Sequence, residues 1–184
     1  MGYNLDEYQE SSVKAEEKNA LIVAAPGSGK TTVSQKLKVL LNKSIFLDGD
    51  WCWDMDPFIV NAETKEMVLE NITFLLNNFL KCSEYVNVIF CWVMHEESII
   101  NDILKRLELN NYKLYKFSLI CSKEELKKRI MKDVENGIRD ESVLERSYIK
   151  MDAYKVMDTI KINTDKISTE EIAVQIEKII KKAD

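Results

Sequence analysis

Histidine, proline and glycine are scarce in this sequence of 184 residues, which contains one histidine, two prolines and five glycines. Four cysteines are present, but none are paired as C-x-x-C, and His95 is the only histidine. A structural zinc site needs four closely spaced ligands of these types, so we expect none. The cysteines are better explained as free thiols of a reducing compartment.

Long apolar runs and an excess of positive charge are also missing. No run approaches the ~20 apolar residues that cross a membrane, and residues 1–12 lack the apolar core of a secretory signal. The formal net charge is −5, whereas surfaces that bind nucleic acid are normally basic. We therefore expect a cytoplasmic protein with no membrane or nucleic-acid partner.

What the sequence does contain is an alternation of short apolar runs with amphipathic stretches, which is typical of βαβ units and a parallel sheet. Hydrophobic residues make up 46% of the chain, enough for the core of one α/β domain. The apolar runs predict strands at 20–25, 44–48, 86–93, 114–120 and 158–163. The amphipathic stretches predict helices at 29–41, 62–81, 96–107, 123–134, 141–155 and 169–181. Ser168 and Glu171 predict a capping box at the start of the last helix.

Residues 24–31 read AAPGSGKT, which fits the P-loop pattern with alanine in the first glycine position. A predicted strand precedes this segment and a predicted helix follows it, as a P-loop requires. Backbone amides at the glycines would wrap a phosphate, Lys30 would place a positive charge at the β- and γ-phosphates, and Thr31 would offer a hydroxyl to Mg²⁺. The pattern predicts binding of ATP and Mg²⁺. The predicted nucleotide-binding residues of the loop are Pro26, Gly27, Ser28, Gly29, Lys30, Thr31 and Thr32.

The second predicted strand ends in FLDGDWCWDMD, which places several carboxylates at the edge of the sheet where ligands bind. Of Asp48 and Asp50, one can hold the metal ion or its waters while the other accepts a proton from an attacking hydroxyl. We favour Asp48 for the metal and Asp50 for the proton. The alternative is an ordinary Asp-Gly turn.

Two tryptophans follow these acids, and we interpret Trp51 and Trp53 as part of the acceptor-binding side because their rings can stack on a base, sugar or drug. The alternative is that they only pack in the core. Asp54 and Asp56 extend the acidic cluster, which disfavours an anionic acceptor and favours a neutral or cationic alcohol.

The segments GSGKTT and LDGD resemble the phosphate loop and acceptor-site acid of small P-loop kinases related to adenylate, shikimate and gluconate kinases and to antibiotic-inactivating phosphotransferases. The resemblance covers residues 21–180. It implies a three-layer P-loop NTPase fold with a five-stranded parallel sheet in the order 2-3-1-4-5. A single kinase domain would occupy residues 20–184, after a leader or short helix at 1–19. The implied activity is transfer of the γ-phosphate of ATP to a small-molecule acceptor, by a monomer or homodimer.

The same resemblance implies roles for basic residues in the second half of the chain. Arg129 stands in the position that stacks on adenine, and Arg139 is the arginine that would stabilise the transferring phosphoryl group from a lid around 133–142. Asp133 stands where adenylate kinases carry a catalytic arginine, so Arg146 and Lys132 remain weaker alternatives for that charge.

Three other functions compete with a kinase on the sequence alone. The opening also resembles that of superfamily-one helicases, in which a glutamine like Gln9 reads adenine, but 184 residues leave no room for their second domain. Two alternatives stay open: an NTPase or nucleotide-binding regulatory module without a small-molecule acceptor, and a degenerate kinase that binds nucleotide without turnover.

Overall fold

The computed structural model describes residues 18–24, 29–137 and 140–182. Within these ranges, five strands alternate with six α-helices and one 3₁₀ helix. The strands are β1 (Lys18–Ala24), β2 (Ser44–Asp48), β3 (Asn87–Trp92), β4 (Tyr112–Ile120) and β5 (Ile160–Asn163). The α-helices are α1 (Lys30–Leu40), α2 (Ala62–Lys81), α3 (Glu97–Lys105), α4 (Lys123–Glu135), α5 (Val143–Val156) and α6 (Thr169–Lys182).

All four strand pairings are parallel, and they join the strands into one sheet in the order β2-β3-β1-β4-β5. The carboxyl ends of the strands therefore meet at one edge. In the register of the sheet, Asp48 of β2 lies beside Cys91 of β3, and Ala24 of β1 lies beside Trp92. Residues that follow β1, β2 and β3 are thus brought to the same edge, although they are far apart in the sequence.

Helices cover both faces of the sheet, because alternate residues of a strand point to opposite faces and both sets are apolar here. In β3, Ile89 belongs to the core under α1 and α6, whereas Phe90 belongs to the core under α2 and α3. A smaller apolar cluster joins α4 to α5 through Leu126 and Met151. The α/β class and the layered P-loop arrangement are therefore confirmed.

The predicted elements agree with the observed ones to within about two residues at most ends, and the capping box of α6 is present. Ser168 donates its backbone N–H to Glu171 Oε2 at 2.8 Å, and Ser168 Oγ accepts the N–H of Glu171 at 3.2 Å. Sequence analysis missed the 3₁₀ helix at Gly49–Trp53, which it treated as a turn. This helix begins where Asp48 accepts a hydrogen bond from the N–H of Asp50, at 3.1 Å.

Several predictions fall outside the described residues: most of the leader at 1–19, the loop residues Pro26, Gly27 and Ser28, and Arg139 in the lid. The four cysteines are free thiols, as expected. Among the described helices, none is long and apolar enough to cross a membrane.

Candidate active site

A polar cavity of about 500 Å³ lies at the carboxyl edge of the sheet, beside the start of α1. Its lining includes the described end of the phosphate loop and four further segments of chain. The lining residues from α1 and its first turn are Gly29, Lys30, Thr31 and Thr32. Those from elsewhere are Asp50, Val93, Glu125, Arg129, Asp133, Ile167, Thr169 and Ile172.

The start of α1 is shaped to face an anion. Gly29 has a φ of 81°, in the left-handed region that glycine adopts without strain, and it directs the chain into the helix. No side chain caps the helix among the described residues, and its first turn carries no acidic residue. The free amides and the positive end of the helix dipole are therefore available to a phosphate.

Lys30 reaches across this cavity to Asp50. Its Nζ lies 2.9 Å from Asp50 Oδ2, and the two side chains are 13% and 54% exposed. The lysine is thus held at the cavity wall by an ion pair with a half-exposed carboxylate. Because such pairs contribute only about 0–1 kcal/mol, a phosphate can displace the aspartate at little cost.

Thr31 and Asp48 form the second contact between α1 and the end of β2. Thr31 Oγ1 donates a hydrogen bond to Asp48 Oδ2 at 2.6 Å, and Asp48 is only 2% exposed. The other carboxylate oxygen accepts the N–H of Asp50. A hydroxyl and a carboxylate beside a phosphate site are the hard oxygen ligands that suit Mg²⁺.

Asp48 lies in a poorly solvated part of the site, close to two thiols whose pKa values it affects. Burial raises the pKa of the Cys91 thiol strongly, and the charge of Asp48 raises it further. The same two causes, in the same order, raise the pKa of Cys52. Both cysteines therefore stay protonated near neutral pH and are not nucleophiles of this site.

Arg129 lines the far side of the polar cavity, where its guanidinium is fixed by hydrogen bonds. Nε donates to Glu125 at 2.9 Å, while Nη1 and Nη2 donate to Thr164 Oγ1 and to the Thr164 carbonyl at 3.0 and 2.6 Å. These bonds lie around the edge of the guanidinium and leave its faces for stacking. Sequence analysis missed Glu125 and Thr164 as its partners.

A second, larger cavity of about 770 Å³ lies on the other side of Asp50. Its aromatic walls are Trp51, Trp53, Phe58 and Trp92. Val60, Asp50 and Asp54 complete the lining among the described residues. Trp51 rests edge-on against Phe46, with ring centroids 5.4 Å apart, and remains 56% exposed. Asp50 is the residue that lines both cavities.

Trp92 reaches this cavity because Gly49 leaves room for it. A Cβ added to Gly49 would lie 2.6 Å from Cγ of Trp92 and 2.8 Å from its Cδ1, well inside contact distance. The indole thus packs directly against the backbone between Asp48 and Asp50. Sequence analysis missed Trp92, although its place at the end of a strand beside β2 was a usable signal.

The structure brings together most of the predicted site residues that it describes. Lys30, Thr31, Asp48 and Asp50 form one hydrogen-bonded group, and Trp51 and Trp53 lie beside it. In the lid region, α4 is followed by Gly137 at a φ of 68°, and Arg139 lies outside the described residues. Arg146 bonds to Ser142 on its own helix and does not line the polar cavity among the described residues.

The fold and the phosphate-facing helix start define a P-loop protein. Residues 21–150 match the model of the AAA domain family, and the chain belongs to that family. No curated protein sequence matches the chain.

Among solved structures, the chain resembles the tunicamycin resistance protein of Deinococcus radiodurans at 13% identity, with a TM-score of 0.64 over 89% of this chain and 96% of that one. It resembles a sugar kinase from Janibacter sp. at 14% identity, with a TM-score of 0.65 over 89% and 95%. It resembles the shikimate kinase of Acinetobacter baumannii at 19% identity, with a TM-score of 0.62 over 92% and 96%. The fold is therefore that of small P-loop kinases.

Proposed function

We propose that the protein transfers the γ-phosphate of ATP to a hydroxyl group of a small-molecule acceptor. One observation carries this proposal: Asp50 lines both cavities and holds Lys30, so a single carboxylate stands between a phosphate site and a separate binding space. A protein that only hydrolysed ATP would have no use for the second space.

The transfer follows from these contacts. ATP enters the polar cavity, and its phosphates take Lys30 from Asp50. The freed carboxylate accepts the proton of the acceptor hydroxyl while that oxygen attacks the γ-phosphorus. The bond between the γ-phosphorus and the β,γ-bridging oxygen breaks, and its electron pair stays on ADP. Asp50 later releases the proton to water, and Lys30 can return to it.

The other residues of the polar cavity hold the nucleotide. Thr31 and Asp48 would bind the magnesium ion, whose charge offsets that of the phosphate oxygens. Arg129 would stack on the base, because its faces are open while its edge is bonded to Glu125 and Thr164. Arg139 would bring its charge to the γ-phosphate from the segment after Gly137.

We also propose that this protein works in the cytoplasm as a monomer or homodimer, without a nucleic-acid or membrane partner. The net charge of −5 and the low-polarity walls of the second cavity support a small, non-nucleic ligand.

The test is ADP release measured with and without a panel of nucleosides, sugars, shikimate and aminoglycosides. A kinase releases ADP in proportion to the amount of one acceptor consumed and converts that acceptor to its phosphate ester. If no acceptor changes the rate of ADP release and free phosphate is the product, the protein is an NTPase and the kinase proposal is wrong.

Two neighbouring substitutions separate the roles of the acids. Asp50→Asn should lower kcat about 10²–10⁴-fold, because the amide cannot take the proton. ATP affinity should rise slightly, since Lys30 loses its competing partner. Asp48→Asn should slow transfer and also raise the Mg²⁺ concentration needed for half-maximal rate. Wild-type transfer by both variants would refute this assignment.

A further inference from the structure

The cavity beyond Asp50 contains every tryptophan of the chain. The sequence has three, and Trp51, Trp53 and Trp92 all line this one space. Two come from the 3₁₀ helix and one from the end of β3, so they meet only in the folded protein. Tryptophan has the ring face that attracts cations most strongly.

The charges at this cavity are all negative or already neutralised. Asp50 and Asp54 both line it, and no arginine, lysine or histidine does so within the described part of the chain. Lys30 offsets Asp50 through their ion pair. Asp54 forms no hydrogen bond or ion pair with any residue that the structure describes. Its carboxylate therefore remains available to a ligand.

Nucleotide binding makes the cavity more negative. Once phosphates take Lys30, Asp50 loses its partner, and the γ-phosphate itself lies close by. An anionic acceptor would meet the carboxylates of Asp50 and Asp54, and no basic residue among the described residues that line the cavity would offset them, so its binding is disfavoured. A cation would be attracted by both carboxylates and by the indole faces.

We propose that the acceptor is a hydroxyl compound that carries a protonated or quaternary amine, and this inference rests on the proposed kinase function. The ammonium group lies among the indoles beside Asp54, and the hydroxyl points to Asp50. A volume of about 770 Å³ is within the range of pockets for drug-sized ligands, so the compound can be considerably larger than a simple amino alcohol.

Binding can be tested with three small probes of similar size: choline, its uncharged carbon analogue 3,3-dimethylbutan-1-ol, and anionic isethionate. Because all three tryptophans line the cavity, intrinsic fluorescence reports binding there directly. At constant ionic strength and saturating ADP and Mg²⁺, choline should bind about tenfold more tightly than the carbon analogue, and isethionate least. Equal or tighter binding of either analogue would overturn the proposal.

Two variants test which carboxylate is responsible for the preference for choline. Asp54→Asn should reduce choline affinity about tenfold and leave that of the carbon analogue unchanged, since a charge-assisted contact is lost. Asp56→Asn removes the same charge from the same loop, at an exposed residue that is not among the described residues lining the cavity, and should change choline affinity less than twofold. Equal losses of choline affinity in both variants would show only a general effect of negative charge and would contradict a specific contact with Asp54.

Failure of this inference is distinguishable from failure of the kinase function. ATP with Mg²⁺ raises the melting temperature if the nucleotide site is real, whatever the acceptor is. If ATP binds and a neutral or anionic compound alone supports ADP release, the kinase stands and the cationic acceptor is wrong. If an amine-bearing alcohol stimulates ADP release and Asp54→Asn raises its KM about tenfold with little change in kcat, the inference is supported.

Discussion

The two cavities that meet at Asp50 are built in opposite ways. In the polar cavity, Lys30, Thr31 and Arg129 are each fixed by a hydrogen bond to another element before any ligand binds. In the second cavity the walls are apolar and largely uncovered, with Trp51 56% exposed and Phe58 66% exposed. Exposed aromatic groups in a concave space are typical of a surface that a ligand covers.

The polar cavity is thus largely preorganised, whereas the walls of the second cavity become covered only when a ligand binds. Thr31 and Arg129 can keep their partners when phosphates bind, and Lys30 exchanges a half-exposed carboxylate for phosphate, so little reorganisation is needed. Apolar walls gain from being covered, at about 25 cal/mol per Å², and they do not demand one exact hydrogen-bond pattern. Under the proposed function, the polar cavity would hold the nucleotide and the aromatic cavity would select the acceptor.

The strongest way to break the polar cavity alone is Lys30→Met. Phosphoryl transfer should fall by at least about 10²-fold, since a charge aimed at the transferring group is lost. The melting temperature without nucleotide should barely change, because the partner carboxylate is half exposed. ADP release and thermal unfolding measure the two effects.

The matched control for that variant is Lys36→Met, which removes a lysine of the same helix that pairs with Glu170. It should keep full activity. Phosphoryl transfer by Lys30→Met at the wild-type rate would contradict the P-loop assignment. A clear fall of the melting temperature in the absence of nucleotide would instead make Lys30 a structural residue.

Gly49→Ala should disturb both cavities together, because the new Cβ would overlap Trp92. Overpacking of this kind costs about 1–3 kcal/mol of unfolding free energy, measured by denaturant titration, and should shift the tryptophan emission. In the background of Trp92→Ala the same change should cost clearly less, because the clash is relieved. Additive losses would mean that the cost has another source.

Arg129→Lys should weaken ATP binding about two- to thirtyfold, because lysine lacks the planar group that Thr164 and Glu125 hold in place. Isothermal titration with ATP measures the change. At saturating ADP and Mg²⁺, the choline-induced change in tryptophan fluorescence should stay the same, because Arg129 is not among the described residues that line the second cavity. Lys128→Ala, an exposed neighbour on α4, is the control and should leave ATP affinity unchanged.

The smallest effect concerns His95, which lines neither cavity among the described residues. Partial burial lowers its pKa, and the charge of Lys150 lowers it further, against the opposing effect of Glu96. The unfolded chain therefore takes up the proton first, near pH 6.5. The contribution of neutral His95 to the free energy of unfolding is complete above that pH and is lost as the pH falls through the lower pKa of the folded state.

His95→Gln should flatten the decline of unfolding free energy between about pH 7 and pH 5, as measured by denaturant titration at each pH. The acceptor preference should not change. An unaltered slope would contradict the role of this histidine, the only one in the chain.

Features that adjacent residues encode can be predicted from the sequence alone. The pattern at 24–31 predicts a strand end, a glycine-rich turn and a helix start from adjacent residues, and the structure describes the strand end at Ala24 and the helix start at Lys30. The same holds for the capping box of Ser168 and Glu171, and for most bounds of the helices and strands, which follow from hydrophobic periodicity. A P-loop and its nucleotide chemistry could therefore be predicted without coordinates.

The side-chain partners at the edge of the sheet, by contrast, follow from how the strands and helices pack. Lys30 pairs with a residue 20 positions away, Thr31 with one 17 positions away, and Arg129 with one 35 positions away. Trp92 joins Trp51 because β3 lies beside β2 and because Gly49 has no side chain. Such neighbours depend on strand order, register and packing, which couple distant segments and leave no local pattern in the sequence.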